Sequence, residues 1–187
     1  MEGAPLKSWQ TLSRREIVDA QPWLRVLAED IQLPDGRVVR DFFTIEAPDY
    51  VIIVALTAEN VAIVERSYKH GPRAVSLTLP AGYIERGEEP IAAAQRELLE
   101  ETGYIADSWQ RLGAFTVDGN RGCGAAHIYL ARGAFRTAEP DHGDLEEMEI
   151  LFLSLAALRE ALFRGDVAQL PVAAAIGMAV VSLGPYG

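Results

Sequence analysis

Three carboxylates and a guanidinium crowd into Arg96-Glu97-Leu98-Leu99-Glu100-Glu101. In a helix, Glu97 and Glu101 stand four residues apart on one side with Glu100 beside them, so three acids share a patch one turn long. If the helix ends soon after, they also lie at its negative pole, where each acid costs a few tenths of a kcal/mol or more. Such a cluster reads either as a solvated acidic face or as a set of hard oxygen donors for a divalent cation. A cation such as Mg²⁺ or Mn²⁺ would turn the mutual repulsion into attraction.

The elements that must position these acids are marked in the flanking sequence. Pro90 suits the first helical position, where its missing N–H costs nothing, and Gly103 suits the left-handed residue that closes a helix. At about 100° per residue, Ala94, Leu98, Ile91, Thr102, Gln95 and Leu99 fall on one side. Ala93, Arg96, Glu97, Glu100 and Glu101 fall on the other, so the first face is expected to meet the core and the second to be acidic. Upstream, Leu79-Pro80-Ala81-Gly82 predicts a strand ending in a tight turn, with Gly82 permitting close backbone approach.

The whole stretch 82–104 resembles the Nudix box: a Gly, five residues, a Glu, seven residues, then Arg-Glu-apolar-any-Glu-Glu-any-Gly-apolar. The matching positions are Gly82, Glu88, Arg96, Glu97, Leu98, Glu100, Glu101, Gly103 and Tyr104, with Tyr104 aromatic where the pattern is usually aliphatic. Seven coincident fixed residues have a chance probability on the order of 10⁻⁸ per starting point. The resemblance implies divalent-metal ligands at Glu97, Glu100 and Glu101, joined by the backbone carbonyl of Ala81. It implies a structural role for Gly82, Glu88, Arg96 and Gly103, with Glu88 and Arg96 holding the loop against the helix. The cofactor expected is Mg²⁺, with Mn²⁺ as an alternative.

A chain of 187 residues, 49% of them hydrophobic, is long enough for one domain with a substantial core and an appendage. Its net charge of −10 argues against a broad phosphate-binding surface for nucleic acid. A single cysteine, Cys123, excludes an intramolecular disulfide and fits a reducing, cytoplasmic setting. The N-terminus lacks the apolar core of a signal peptide, and the apolar run 170–183 is too short to span a bilayer, so no membrane association is expected.

In chain order, residues 1–45 read as strands, with Leu33-Pro34-Asp35-Gly36-Arg37 as a hairpin turn. Residues 50–56 read as a central strand and 61–64 as its neighbour. The charged and aromatic run 65–70 reads as a sheet edge or pocket rim. Residues 75–79 deliver the box, and 109–117 and 125–131 form two more strands around an irregular glycine-rich loop, 118–124. An acidic loop at 137–148 is followed by a short strand, 149–153, and a helix capped by Ser154 and stopped by Gly165. A buried helix over 170–183 ends the chain. The expected class is α+β, with an N-terminal β-hairpin segment, 1–45, and a domain over 46–187 that the Nudix resemblance implies is an αβα sandwich with a mixed sheet; a resemblance of 1–45 to the nucleoside-diphosphate-sugar pyrophosphatases implies that this segment serves dimerisation and nucleobase contact.

The N-terminal hairpin, the Arg66-Ser67-Tyr68-Lys69 segment and the Leu-Pro-Ala-Gly entry resemble the ADP-ribose and nucleoside-diphosphate-sugar pyrophosphatases. That resemblance implies a homodimer that splits a nucleoside diphosphate sugar into a nucleoside monophosphate and a sugar phosphate. It also implies a general base on the acidic loop, with Glu146 and Glu147 as candidates. Arg40, Phe42, Arg66 and Arg121 are the candidate substrate contacts, while His127 reads as a packed histidine. Many ADP-ribose enzymes carry a proline where this chain has Val117-Asp118-Gly119-Asn120-Arg121, which leaves other sugar nucleotides open. The alternatives are a non-catalytic nucleotide-sugar sensor, or an enzyme acting on NADH or a dinucleoside polyphosphate.

Overall fold

The computed structural model describes residues 6–141 and 147–184, which fall into two compact units, 1–48 with 116–125 and 49–115 with 126–187. In the first unit, strands β1 (Gln10–Ala20), β2 (Leu24–Gln32) and β3 (Val38–Glu46) pair antiparallel in sequence order. The β2–β3 turn forms where Asp35 and Gly36 predict it. Asp35 accepts a hydrogen bond from the Arg37 amide at 3.0 Å, and Gly36 takes φ +87°. Arg14 on β1 ties itself to Glu29 on β2, with Nε donating to Oε1 at 2.8 Å.

The second unit contains β4 (Tyr50–Thr57), β5 (Val61–Lys69), β6 (Ala74–Thr78), β7 (Ala81–Tyr83), α1 (Pro90–Thr102), β10 (Met148–Ser154), α2 (Leu155–Arg164) and α3 (Leu170–Leu183). It also holds most of β8 (Tyr104–Asp118) and β9 (Gly122–Arg136). β9 runs parallel to β4 from Tyr50↔Ala126 onward, whereas β5 pairs antiparallel with β4, β6 and β10, so the sheet is mixed. Both faces of β4 are buried, as its unbroken apolar run requires. Val51, Ile53, Ile63 and Tyr129 pack with Ala93, Ala94 and Leu98 of α1. Ile52, Val54, Val64 and Ile128 pack with Leu158 of α2 and with Val172, Ala175 and Ile176 of α3. Helix, sheet and helix therefore form the three expected layers.

Three expectations change. The first half of the run 65–70 is not a sheet edge, because β5 continues through Lys69 with β6 beside 65–69 and β10 beside 65–67. Its alternating burial, with Glu65 and Ser67 inside and Arg66 and Tyr68 outside, imitates an edge strand. The irregular loop 118–124 shrinks to a turn, because β8 reaches Asp118 and β9 starts at Gly122. Glycines 122 and 124 and Cys123 all adopt positive φ within the strand. Finally, β8 begins directly after Gly103, five residues earlier than 109, and β9 extends to Arg136.

Gly103 ends α1 at φ +76°, its N–H bonded to the Leu99 carbonyl at 2.8 Å. A Cβ there would stand 2.2 Å from the Ala138 carbonyl oxygen. Gly103→Ala therefore combines left-handed strain with a backbone clash, and is expected to cost about 2 kcal/mol or more in urea unfolding.

Candidate metal and catalytic site

Gly82 in β7 lies opposite Val51 of β4, and the helix that follows the box loop crosses back over this end of the sheet. The lack of a side chain at Gly82 is filled by another residue: a Cβ built there would fall 2.0 Å from the Glu97 carboxyl carbon. Next to it, the Ala81 N–H donates to Glu101 Oε2 at 2.8 Å. Both acids of the i,i+4 pair are thus seated on the strand that opens the box.

Arg96 organises the remainder. Nε and Nη2 grip Glu88 bidentately at 3.0 Å each, Nη2 also reaches the Tyr83 carbonyl at 3.0 Å, and Nη1 donates to Glu97 at 2.6 Å and Glu100 at 3.1 Å. All five guanidinium donors have an acceptor. Glu88 in turn accepts from the Glu85 amide at 2.9 Å, closing the loop over the start of α1. Bonding to Arg96 first, then to Glu85, holds the Glu88 carboxyl below its usual range.

The wheel drawn from the sequence is rotated in the structure. Ala93 is fully buried, Leu99 and Gln95 are exposed, and the side chain of Glu97 is only 12% exposed. Glu97 and Glu101 flank the buried Ala94–Leu98 ridge and turn toward the sheet, whereas Glu100 points outward and is half exposed. Glu97 and Glu100 nevertheless meet at Arg96 Nη1, while Glu101 is seated on the Ala81 amide. Among the described residues, no three His, Cys, Asp or Glu side chains stand together as a formed metal cage.

Arg66 alternates with Glu65 to the opposite side of β5 and pairs with Glu149. Lys69, at the end of the same segment, is close enough for its charge to act on Glu101. In the first unit, Arg40 pairs with Asp30 at 3.1 Å, Phe42 meets Trp9 edge to face at 5.9 Å, and Arg121 reaches the Phe43 carbonyl at 3.5 Å. His127 is largely buried, 3.7 Å from Asp49. Glu147 is exposed at the head of β10, and Glu146 lies outside the described residues.

A family model described as the NUDIX domain matches residues 47–174, and one described as the nucleoside diphosphate sugar hydrolase N-terminal domain matches residues 9–45. The chain belongs to the NUDIX domain family. It is 30% identical over 139 residues to the methanol dehydrogenase activator of Bacillus methanolicus, covering 74% of each chain. It is 28% identical over 153 residues to the ADP-ribose pyrophosphatase of Bacillus subtilis (strain 168), covering 82% of this chain and 80% of the relative. A crystal structure of an ADP compounds hydrolase shares the fold, with a TM-score of 0.84 over 99% of each chain at 21% identity.

Nudix hydrolases generally use divalent metal ions, and the donor set here fits one. Glu97 and Glu101 offer hard oxygens, and Glu97 occupies the cradle that only a glycine at 82 leaves open. Burial raises the Glu97 carboxyl. Burial, and after it the neighbouring Glu65 charge, push Glu101 up to about 9. A cation would offset both effects.

Two outcomes follow from this geometry. Gly82→Ala meets a movable side-chain end rather than backbone, so it should displace Glu97 and lower divalent-ion affinity by roughly tenfold or more with a small change in melting temperature. For Glu101, the metal-free folded chain keeps a proton that the unfolded chain releases above the ordinary carboxylate value. Its stabilising effect is fully present below that value and is lost as pH rises toward about 9. The slope is at most about 1.4 kcal/mol per pH unit. Urea titrations of the metal-free protein between those limits should show this decline, and Glu101→Gln should flatten it.

Proposed function

We propose that this chain hydrolyses the pyrophosphate bond of ADP-ribose or a related nucleoside diphosphate sugar, with Mg²⁺ or Mn²⁺ as cofactor. The observation that carries this reading is the buried Glu97–Glu101 pair seated on Gly82 and Ala81. The substrate class is supported by the match of residues 9–45 to the nucleoside diphosphate sugar hydrolase N-terminal domain and by the Bacillus subtilis relative.

A bound divalent cation supplies charge neutralisation at the diphosphate and a more acidic water. Glu97 and Glu101 would hold that ion with Glu100, while Arg96 and Glu88 keep loop and helix from drifting apart. In this reading Glu147, or Glu146 beside it, accepts the proton of the attacking water. The water oxygen bonds to one phosphorus, the bond from that phosphorus to the bridging oxygen breaks, and the bridging oxygen leaves with the other phosphate. ADP-ribose and water thereby give AMP and ribose 5-phosphate. Arg40, Phe42, Arg66 and Arg121 remain the candidate substrate contacts. The same reading takes the protein as a cytoplasmic homodimer, with the exposed strand β1, paired with β2 alone among the described residues, offering its other edge to a partner; among the described residues no helix is long and apolar enough to cross a membrane.

A second reading, a module that senses a nucleotide sugar without cleaving it, is favoured only by the activator name of the Bacillus methanolicus relative. A panel of ADP-ribose, ADP-glucose, GDP-mannose, UDP-glucose, NADH and diadenosine polyphosphates, with product identification, separates the two. AMP and ribose 5-phosphate are expected from ADP-ribose, and tight binding without any phosphate-containing product would favour the sensor. Glu97→Gln should lower turnover by about 10²-fold or more at saturating Mg²⁺, and near-full activity in that variant would show the metal assignment to be wrong.

A further inference from the structure

Two carboxylate residues are buried among the described residues, Glu29 at 6% and Glu65 at 2% exposure. Glu29 is explained inside the first unit, where Arg14 and Thr11 both donate to it. Glu65 has a different setting. It lies in mid-sheet on β5, opposite Thr78 of β6 and Ile150 of β10. The register on both sides runs without a shift, so strict alternation applies. Ile63 packs with Ala93, Ala94 and Leu98, and Ile150, the cross-strand partner of Glu65, packs against the same cluster. Glu65 therefore occupies the sheet face that α1 covers, the face from which Glu97 and Glu101 meet the strands.

A carboxylate costs more to bury in such a place than an apolar residue of similar size, so packing alone does not account for it. The Glu65 charge is also the largest neighbouring charge acting on Glu101. No position of the box motif includes residue 65.

We propose that Glu65 is a positioning residue of the divalent-cation site, acting through Glu101 and adding its charge to the field the ion meets. This inference rests on the metal-dependent reading above. Two acids placed together in a low-dielectric space cannot both carry charge without cost, so the pair destabilises the metal-free protein. The same repulsion makes a doubly charged cation bind more tightly, because the ion relieves it. Replacing one acid by its neutral isostere should therefore move two observables in opposite directions. A purely structural glutamate would not, since its loss would lower stability and leave ion affinity alone.

The test is Mn²⁺ titration of the full chain followed by electron paramagnetic resonance, with thermal unfolding of the metal-free protein, for wild type, Glu65→Gln and Glu65→Asp. Glu65→Gln should bind Mn²⁺ about 10–100-fold more weakly while its metal-free melting temperature equals or exceeds that of wild type. Unchanged Mn²⁺ affinity in Glu65→Gln overturns the inference and leaves the hydrolase reading standing. If affinity and melting temperature fall together, Glu65→Asp decides: recovery of affinity with the charge supports the inference, and no recovery overturns it. Absence of Mn²⁺ binding in wild type removes the metal-dependent reading and this inference with it.

Discussion

Two carboxylates held against an apolar sheet set the constraint on which the second unit depends. Glu97 and Glu101 can face inward only because Gly82 has no side chain, because the Ala81 amide is aimed at one of them, and because Arg96 reaches the other. Each support has its own requirement. Arg96 must be fixed, so Glu88 grips it bidentately and the Tyr83 carbonyl takes another donor. Glu88 must in turn stay in place, so the Glu85 amide binds it. The loop is thereby built outward from the acids, and its glycines and glutamates follow from the need to hold charge at low dielectric.

The boundaries of α1 were legible because they are set locally. Pro90 and Gly103 fix the first and last turns through dihedral preferences that hold in any surroundings. The direction of the acids was not legible, because Ala92, Ala93 and Ala94 follow one another and alanine suits a buried or an exposed position equally. What fixed the rotation was the packing of Ala93, Ala94 and Leu98 on Val51, Ile53 and Tyr129. That contact is long-range in sequence and leaves no period to read.

Glu65 escaped for a related reason. In Ala62-Ile63-Val64-Glu65 both faces of the strand are buried, so the two-residue alternation that separates inside from outside is lost. The first charge after such a run then looks like the strand's exit into solvent. Arg66 stands on the other side. Strand parity turns it away from α1, and it pairs with Glu149. Residue type was informative at both positions, and the face could be assigned only once β5 was flanked by β6 and β10.

The end of α1 raises a last question, since Glu100 and Glu101 lie in the turn where the helix dipole is least hospitable to acids. Gly103 and the segment after β9 supply the answer. The Thr137 and Ala138 amides donate to the Gly103 carbonyl at 2.8 and 3.1 Å, and the Asp141 amide donates to the Glu100 carbonyl at 2.7 Å. Carbonyls at this end of the helix, which would otherwise lack a partner within it, are taken up by N–H groups from a distant part of the chain. The local penalty of an acidic C-terminal turn is thus reduced by capping, while Glu101 is raised first by its burial and then by the charge of the adjoining Glu65. Residual repulsion at that point is the form of strain that a divalent ion relieves, so the same fold that makes the turn tolerable without metal leaves it with the most to gain from one.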